Sequence, residues 1–187
     1  MSQLTFRVVA ALAVTTALLL AGCSGDAPIV LPKPDPTSAP VFATDEDALA
    51  AAEVAYGEYL KASAAITKKN GEDPKSIAPF VTDDYLPELI EGFTDLRKAK
   101  RHIEGNIAFD NLQLQQYGDD LSNPATVAIY LCLDVTNARV KDAEGADVTP
   151  DRPNVVPLEL TFETIDRDPE LLLDSSEAWT GEDFCET

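Results

Sequence analysis

Histidine occurs once in this chain, cysteine three times, and tryptophan and methionine once each. Cations are scarce as well, with 14 Lys+Arg against 33 Asp+Glu and a formal charge of −19. Each shortage removes a class of function. A surface this negative repels phosphate backbones and anionic headgroups, so nucleic acid is excluded as a partner. It suits cations or basic peptides, and it keeps a protein soluble. One histidine and so few thiols cannot assemble a Cys/His zinc site. No Ser-His-Asp order and no phosphate-cradling glycine loop is present, and the acids fall in twos and threes without the spacing of a calcium loop. The sequence therefore predicts no metal and no cofactor.

Long apolar runs are missing too. The longest, residues 8–20 (VVAALAVTTALLL), would reach only ~20 Å as a helix, short of a ~30 Å hydrocarbon core. It follows a short segment whose one charged side chain is Arg7, and it ends at Leu20-Ala21-Gly22-Cys23. This pattern reads as a signal peptide, residues 1–22, removed on export. Leu20-Ala21-Gly22-Cys23 resembles the lipobox of bacterial lipoproteins. That resemblance implies small residues fitting a narrow peptidase site and a Cys23 thiol that takes up diacylglycerol. Two or three acyl chains on one residue hold nearly irreversibly, so the membrane is a partner through the lipid alone. The implied location is extracytoplasmic, anchored to the outer face of the cell membrane.

Residues 23–43 follow as the lipidated cysteine and a linker. Pro28, Pro32, Pro34, Pro36 and Pro40 force extended backbone there, so the segment can reach roughly 60 Å as a semi-rigid stalk. Residues 44–187 then form one domain with room for a real core. It holds Cys132 and Cys185. Outside the cytoplasm two thiols in one small domain pair, and a bridge would pin the C-terminal tail to a central strand.

Periodicity places helices first. Thr44 with Asp47 three residues on is a capping-box pattern. Leu49, Ala52, Tyr56, Tyr59, Ser63 and Ile66 then share one helix face, running to about Lys68 before Asn70-Gly71 ends it. A short helical turn over residues 76–81 is interrupted at Pro79. A second helix is expected with Asp84 as cap, Pro87 in its first turn and a buried stripe of Leu86, Leu89/Ile90, Phe93 and Leu96. Its last turn, Arg97-Lys98-Ala99-Lys100-Arg101-His102, is the one basic cluster, and it suits the negative end of the helix dipole. From Glu104 the period becomes two. The phase slips at Asp110-Asn111, which predicts a bulge. Val127, Ile129, Leu131 and Leu133 face one way, while Ala128, Tyr130, Cys132 and Asp134 face the other. A hairpin tip at Glu144-Gly145, a strand through Leu158, Leu160 and Phe162 and a last strand over residues 171–179 complete an α+β layout. In it, N-terminal helices pack in a strongly curved antiparallel sheet.

Element order and lengths resemble the cone-shaped superfamily of nuclear transport factor two and ketosteroid isomerase, in which a curled sheet wraps its helices around a pocket. The lipobox, the proline stalk, Tyr56 and Tyr59, the run Tyr130-Leu131-Cys132-Leu133-Asp134 and the ending Trp179–Cys185 are similar to small lipoproteins of high-GC Gram-positive actinobacteria. The cone superfamily implies candidate pocket residues Tyr56, Tyr59, Phe93, Tyr130 and Asp134. Two functions stay open at this point, with an assembly factor for a membrane complex, recruited through the acidic face, in reserve. The favoured one is a non-catalytic module that binds a small apolar ligand or a surface protein. The other is an isomerase- or dehydratase-like enzyme, with Asp134 as base in an apolar pocket, assisted by Tyr130 or His102.

Overall fold

The computed structural model describes residues 39–121 and 123–185. The expected signal peptide, lipobox and most of the stalk lie outside the described residues. Residues 39–43, expected to belong to the linker, are packed onto the domain: Phe42 is buried and joins the core.

Helix α1 (Asp45–Thr67) starts where the capping pattern places it, with the Asp47 N–H donating to Thr44 Oγ1 at 3.1 Å. It ends over Asn70 and Gly71, both with positive φ. A side chain at Gly71 would run into the Phe93 carbonyl of the next helix, so glycine lets the end of α1 rest directly on that backbone. A 3-10 turn (Pro74–Phe80) leads to helix α2 (Leu86–Lys98). Asp84 does not cap α2. The flanking residue is Tyr85, whose N–H donates to Thr82 Oγ1 at 3.3 Å, while the Leu86 N–H takes the Thr82 carbonyl at 3.0 Å. Thr82 is better placed because it is itself fixed, its N–H donating to the Leu173 carbonyl and its hydroxyl to Asp174. The buried stripe of α2 is also narrower than expected: Phe93 alone is fully buried, because α2 packs on the 3-10 turn and lightly on α1.

Six strands follow: β1 (His102–Glu104), β2 (Ala108–Gly118), β3 (Thr126–Asp134), β4 (Arg139–Lys141), β5 (Val155–Thr164) and β6 (Leu171–Ala178). Strands β2-β3-β5-β6 form an antiparallel sheet in that order, and β1 pairs with β4 in a separate ribbon. The layout is α+β, helices before sheet. The bulge falls where the phase slip puts it, between Asp110 and Gln113, with Asn111 at positive φ. An irregularity in the β5–β6 ladder leaves Asp174 outside the pairing, and its side chain reaches Thr82.

Alternation on β3 and β5 turns Val127, Ile129, Leu131, Leu158, Leu160 and Phe162 to the inner face, where all are buried. Helix α1 lies across this curved face and touches β2, β3 and β6. Tyr56 is fully buried there, its ring edge-on to Phe109 with centroids 5.1 Å apart. At ~25 cal/mol per Å² of apolar surface, this shared burial is the main source of stability. On the outer face the chain end crosses back, and Cys132 and Cys185 are disulfide-bonded with Cα atoms 5.7 Å apart.

Candidate functional site

The five residues proposed to line one pocket divide between opposite faces of the sheet. Tyr56, Tyr59 and Phe93 lie on the helix side, where burial pushes the Tyr56 and Tyr59 phenols above their ordinary range. Tyr130 and Asp134 lie on the outer face of β3. Tyr130 is covered by the C-terminal tail, its ring 4.9 Å from Trp179 and 5.6 Å from Phe184, and its hydroxyl accepts from Gln115 Nε2. Asp134 turns back on its own chain and accepts from the Thr136 N–H at 2.8 Å. Hydrogen bonds from Thr136 hold its carboxyl below the usual aspartate range, the opposite of what a pocket base needs. His102 opens β1 in the two-stranded ribbon instead of ending α2, and its Nε2 lies 3.3 Å from Glu104 Oε1. The geometry does not bring Asp134, Tyr130 and His102 together as a catalytic set. The space expected for a pocket is occupied by Tyr56, Ile129, Leu131, Leu160, Phe162 and Leu173.

The concave feature with coherent chemistry lies elsewhere. A cleft of about 750 Å³ opens between the 3-10 turn and the β5–β6 connection. Its floor is apolar, from Val81, Pro124 and Leu172. Its walls carry Asp83, Asp84, Glu163, Asp166, Asp168 and Glu170. Three separate stretches of sequence supply these acids. Asp83 and Asp84 arrive because Val81 bridges Leu173 in parallel and Thr82 is tied to Asp174. Glu163 sits at the end of β5, opposite Leu172. The remaining three ride the turn between β5 and β6. A second hollow of about 310 Å³ shares Asp84 and Glu163 and adds Glu88, Asp174 and Glu177.

No lysine or arginine lines either hollow among the described residues. Arg167 stands in sequence between Asp166 and Asp168, but its guanidinium is committed to Asp119, with contacts of 2.6 and 3.0 Å to the two carboxylate oxygens. The charges in the cleft are thus left to repel one another. Partial burial first, then Asp174 and Asp84, push the Glu163 carboxyl above the usual glutamate range. Such a lining favours positive charge, with an apolar floor beside it. No local signal announced it, since acids in pairs along a chain are usually just solvated.

No family model and no curated protein matches the sequence. Among solved structures, the intermembrane space region of the chloroplast protein ARC6 is similar over 70% of this chain and 95% of that one, with a TM-score of 0.50 at 11% identity. A periplasmic fragment of TraM aligns over 73% of this chain and 98% of that one, with a TM-score of 0.48 at 11% identity. At that identity the first likeness is one of fold alone.

Proposed function

We propose that this chain is a lipid-anchored, extracytoplasmic module without catalytic chemistry, whose acidic cleft holds a basic, partly apolar segment of a partner protein. The observation that carries the reading is the cleft itself: six carboxylates around an apolar floor, and the nearest arginine drawn away to Asp119. The lipobox at residues 20–23 supports the address, and the helix-then-curved-sheet order supports kinship with the cone superfamily. Nothing about Asp134 or His102 favours the enzymatic alternative.

Two experiments test the two halves of the proposal. For the anchor, Cys23→Ala expressed in a lipoprotein-processing bacterium is expected to lose incorporation of labelled palmitate and to leave the membrane pellet. Retention of the label would refute the anchor. For the cleft, a fluorescent peptide of alternating lysine and leucine is expected to bind with an affinity that falls as salt rises. The triple variant Asp84→Asn/Glu163→Gln/Asp168→Asn should weaken it about tenfold, on the scale of 1.4 kcal/mol. Neutralising three remote acids, Glu104, Asp110 and Glu144, should change it by less than about twofold, since exposed distant charges are screened. Equal losses from the two variants would mean that net charge, not the cleft, attracts the peptide.

A further inference from the structure

Helix α1 has an outward face that no other described residue covers. Val54 is 64% exposed, and Ala50, Glu53, Lys61, Ala65 and Lys68 are exposed along the same side. Gly57 stands at the middle of this 23-residue helix. Glycine is among the poorest residues for a helix interior, and a small-residue gap is usually justified by packing. Here it is not. A Cβ on Gly57 would meet only the tip of the Phe109 ring, at 4.0 Å, and φ there is ordinary. The fold does not require glycine at this position.

The charges around Gly57 suggest what does. They are distributed as a mirror image with sign reversed. Four residues before it is Glu53 and four after is Lys61; eleven before is Glu46 and eleven after is Lys68; seven before and after are Ala50 and Ala64. The helix dipole accounts for acids in the first turn and for lysines just past the last. It does not account for Glu53 and Lys61, each about one turn from the centre. None of these four charged side chains makes an ion pair among the described residues.

We propose that α1 is the contact surface for a second copy of this chain, docked antiparallel about a two-fold axis at Gly57. In such an isologous pair, residue 57 + n faces residue 57 − n of the other copy. Glu53 then meets the second copy's Lys61, and Glu46 meets its Lys68, each pair occurring twice by symmetry. The missing side chain at Gly57 allows the two backbones to approach closely where they cross.

The surface relief agrees with an oblique crossing. One groove, about 380 Å³, flanks the N-terminal half of α1 on the side of the 3-10 turn and β6, with Ala50, Val54 and Pro79 in its walls. Another, about 680 Å³, flanks the C-terminal half on the side of β1 and β2, with Leu60, Ala64 and Ile107. Strands β6 and β2 are opposite edges of the sheet. A helix crossing α1 at Gly57 passes over one groove and then the other. The first groove is rimmed by Glu58 and Glu170. Helix α1 does not line the acidic cleft, although Pro79 and Glu170 border both that cleft and the first groove.

The test is sedimentation velocity of the full-length chain in detergent over a range of concentrations. The native chain is expected to form a dimer. Glu53→Lys and Lys61→Glu should each weaken it about tenfold or more, because each places like charges face to face at two symmetry-related points. The double variant Glu53→Lys/Lys61→Glu should return to within about threefold of native, which no effect on folding would produce. Gly57→Leu should leave a monomer with an unchanged far-ultraviolet helix signal. A native chain that stays monomeric, single reversals without effect, or a double reversal that fails to rescue would each overturn the proposal.

Discussion

Replacing Cys132 and Cys185 together by serine is expected to destabilise the folded domain by about 4 kcal/mol, the chain-entropy value for closing a loop of this length. For a domain of this size that lowers the melting temperature by about 12 °C. The bridge does more than close a loop, because it anchors a tail that has little else to hold it. Beyond the end of β6 the tail touches the sheet through Trp179 and Phe184 against Tyr130, and through Asn111 Nδ2, which donates to the Phe184 carbonyl at 3.2 Å. Asn111 can do this because the bulge, with its positive φ, swings the side chain toward the tail. The chain carries one tryptophan, so its emission reports on this latch directly. In the double serine variant the emission should shift to the red at temperatures well below the main unfolding transition. A variant melting within about 2 °C of native, with unchanged emission, would show that the aromatic contacts suffice without the bridge.

That latch was largely legible in the sequence, and it shows what kind of information local patterns carry. The two thiols of the domain, the alternation that put Cys132 on the outer face of β3, and the phase slip at Asp110-Asn111 are each visible within a few residues. Thr44 as cap, the Asn70-Gly71 stop and the Glu144-Gly145 tip are equally local, and the structure has all three. What escaped was set by distant partners. Asp84 has the right chemistry for a cap, but Thr82 wins because β6 holds it in place. Phe42 looked like stalk because five prolines precede it, although an apolar residue near a helix cap often staples the helix start to the core. Tyr56 and Tyr130 are both aromatic residues on regular elements, and only the sheet between them decides that they never share a pocket. The acidic cleft draws on residues 83–84, 163 and 166–170, and its convergence depends on the parallel bridge Val81–Leu173.

Asp119 is the most consequential charge outside the cleft, and its replacement by asparagine is expected to cost about 3 kcal/mol, the scale of breaking a buried pair. Its side chain is 5% exposed. It accepts from Arg167 through both oxygens, from the Val41 N–H at 2.8 Å, from the Leu121 N–H at 3.1 Å and from the Tyr117 hydroxyl at 3.2 Å. Arg167 also donates to the Ala39 carbonyl, so this knot fastens the strap leading into α1 onto β2 and the β5–β6 turn. The Arg167 hydrogen bonds, first among several, hold the Asp119 carboxyl far below the usual aspartate range. A depressed carboxyl contributes stability that is complete above its unfolded value, near 3.8, and is lost as pH falls toward the folded one. The gap between native and Asp119→Asn, read as urea midpoints, should therefore be full at pH 6 and smaller by about 1 kcal/mol at pH 3. Glu163 acts with the opposite sign. Its raised pKa contributes stability present below the ordinary glutamate value, near 4.5, and lost as pH rises through the folded one. Glu163→Gln should consequently stabilise the domain at pH 7 and lose that advantage near pH 4. A pH-independent gap for Asp119→Asn would mean that Arg167 is held by the Ala39 carbonyl and packing alone. The carboxylate would then not be what keeps that guanidinium out of the cleft.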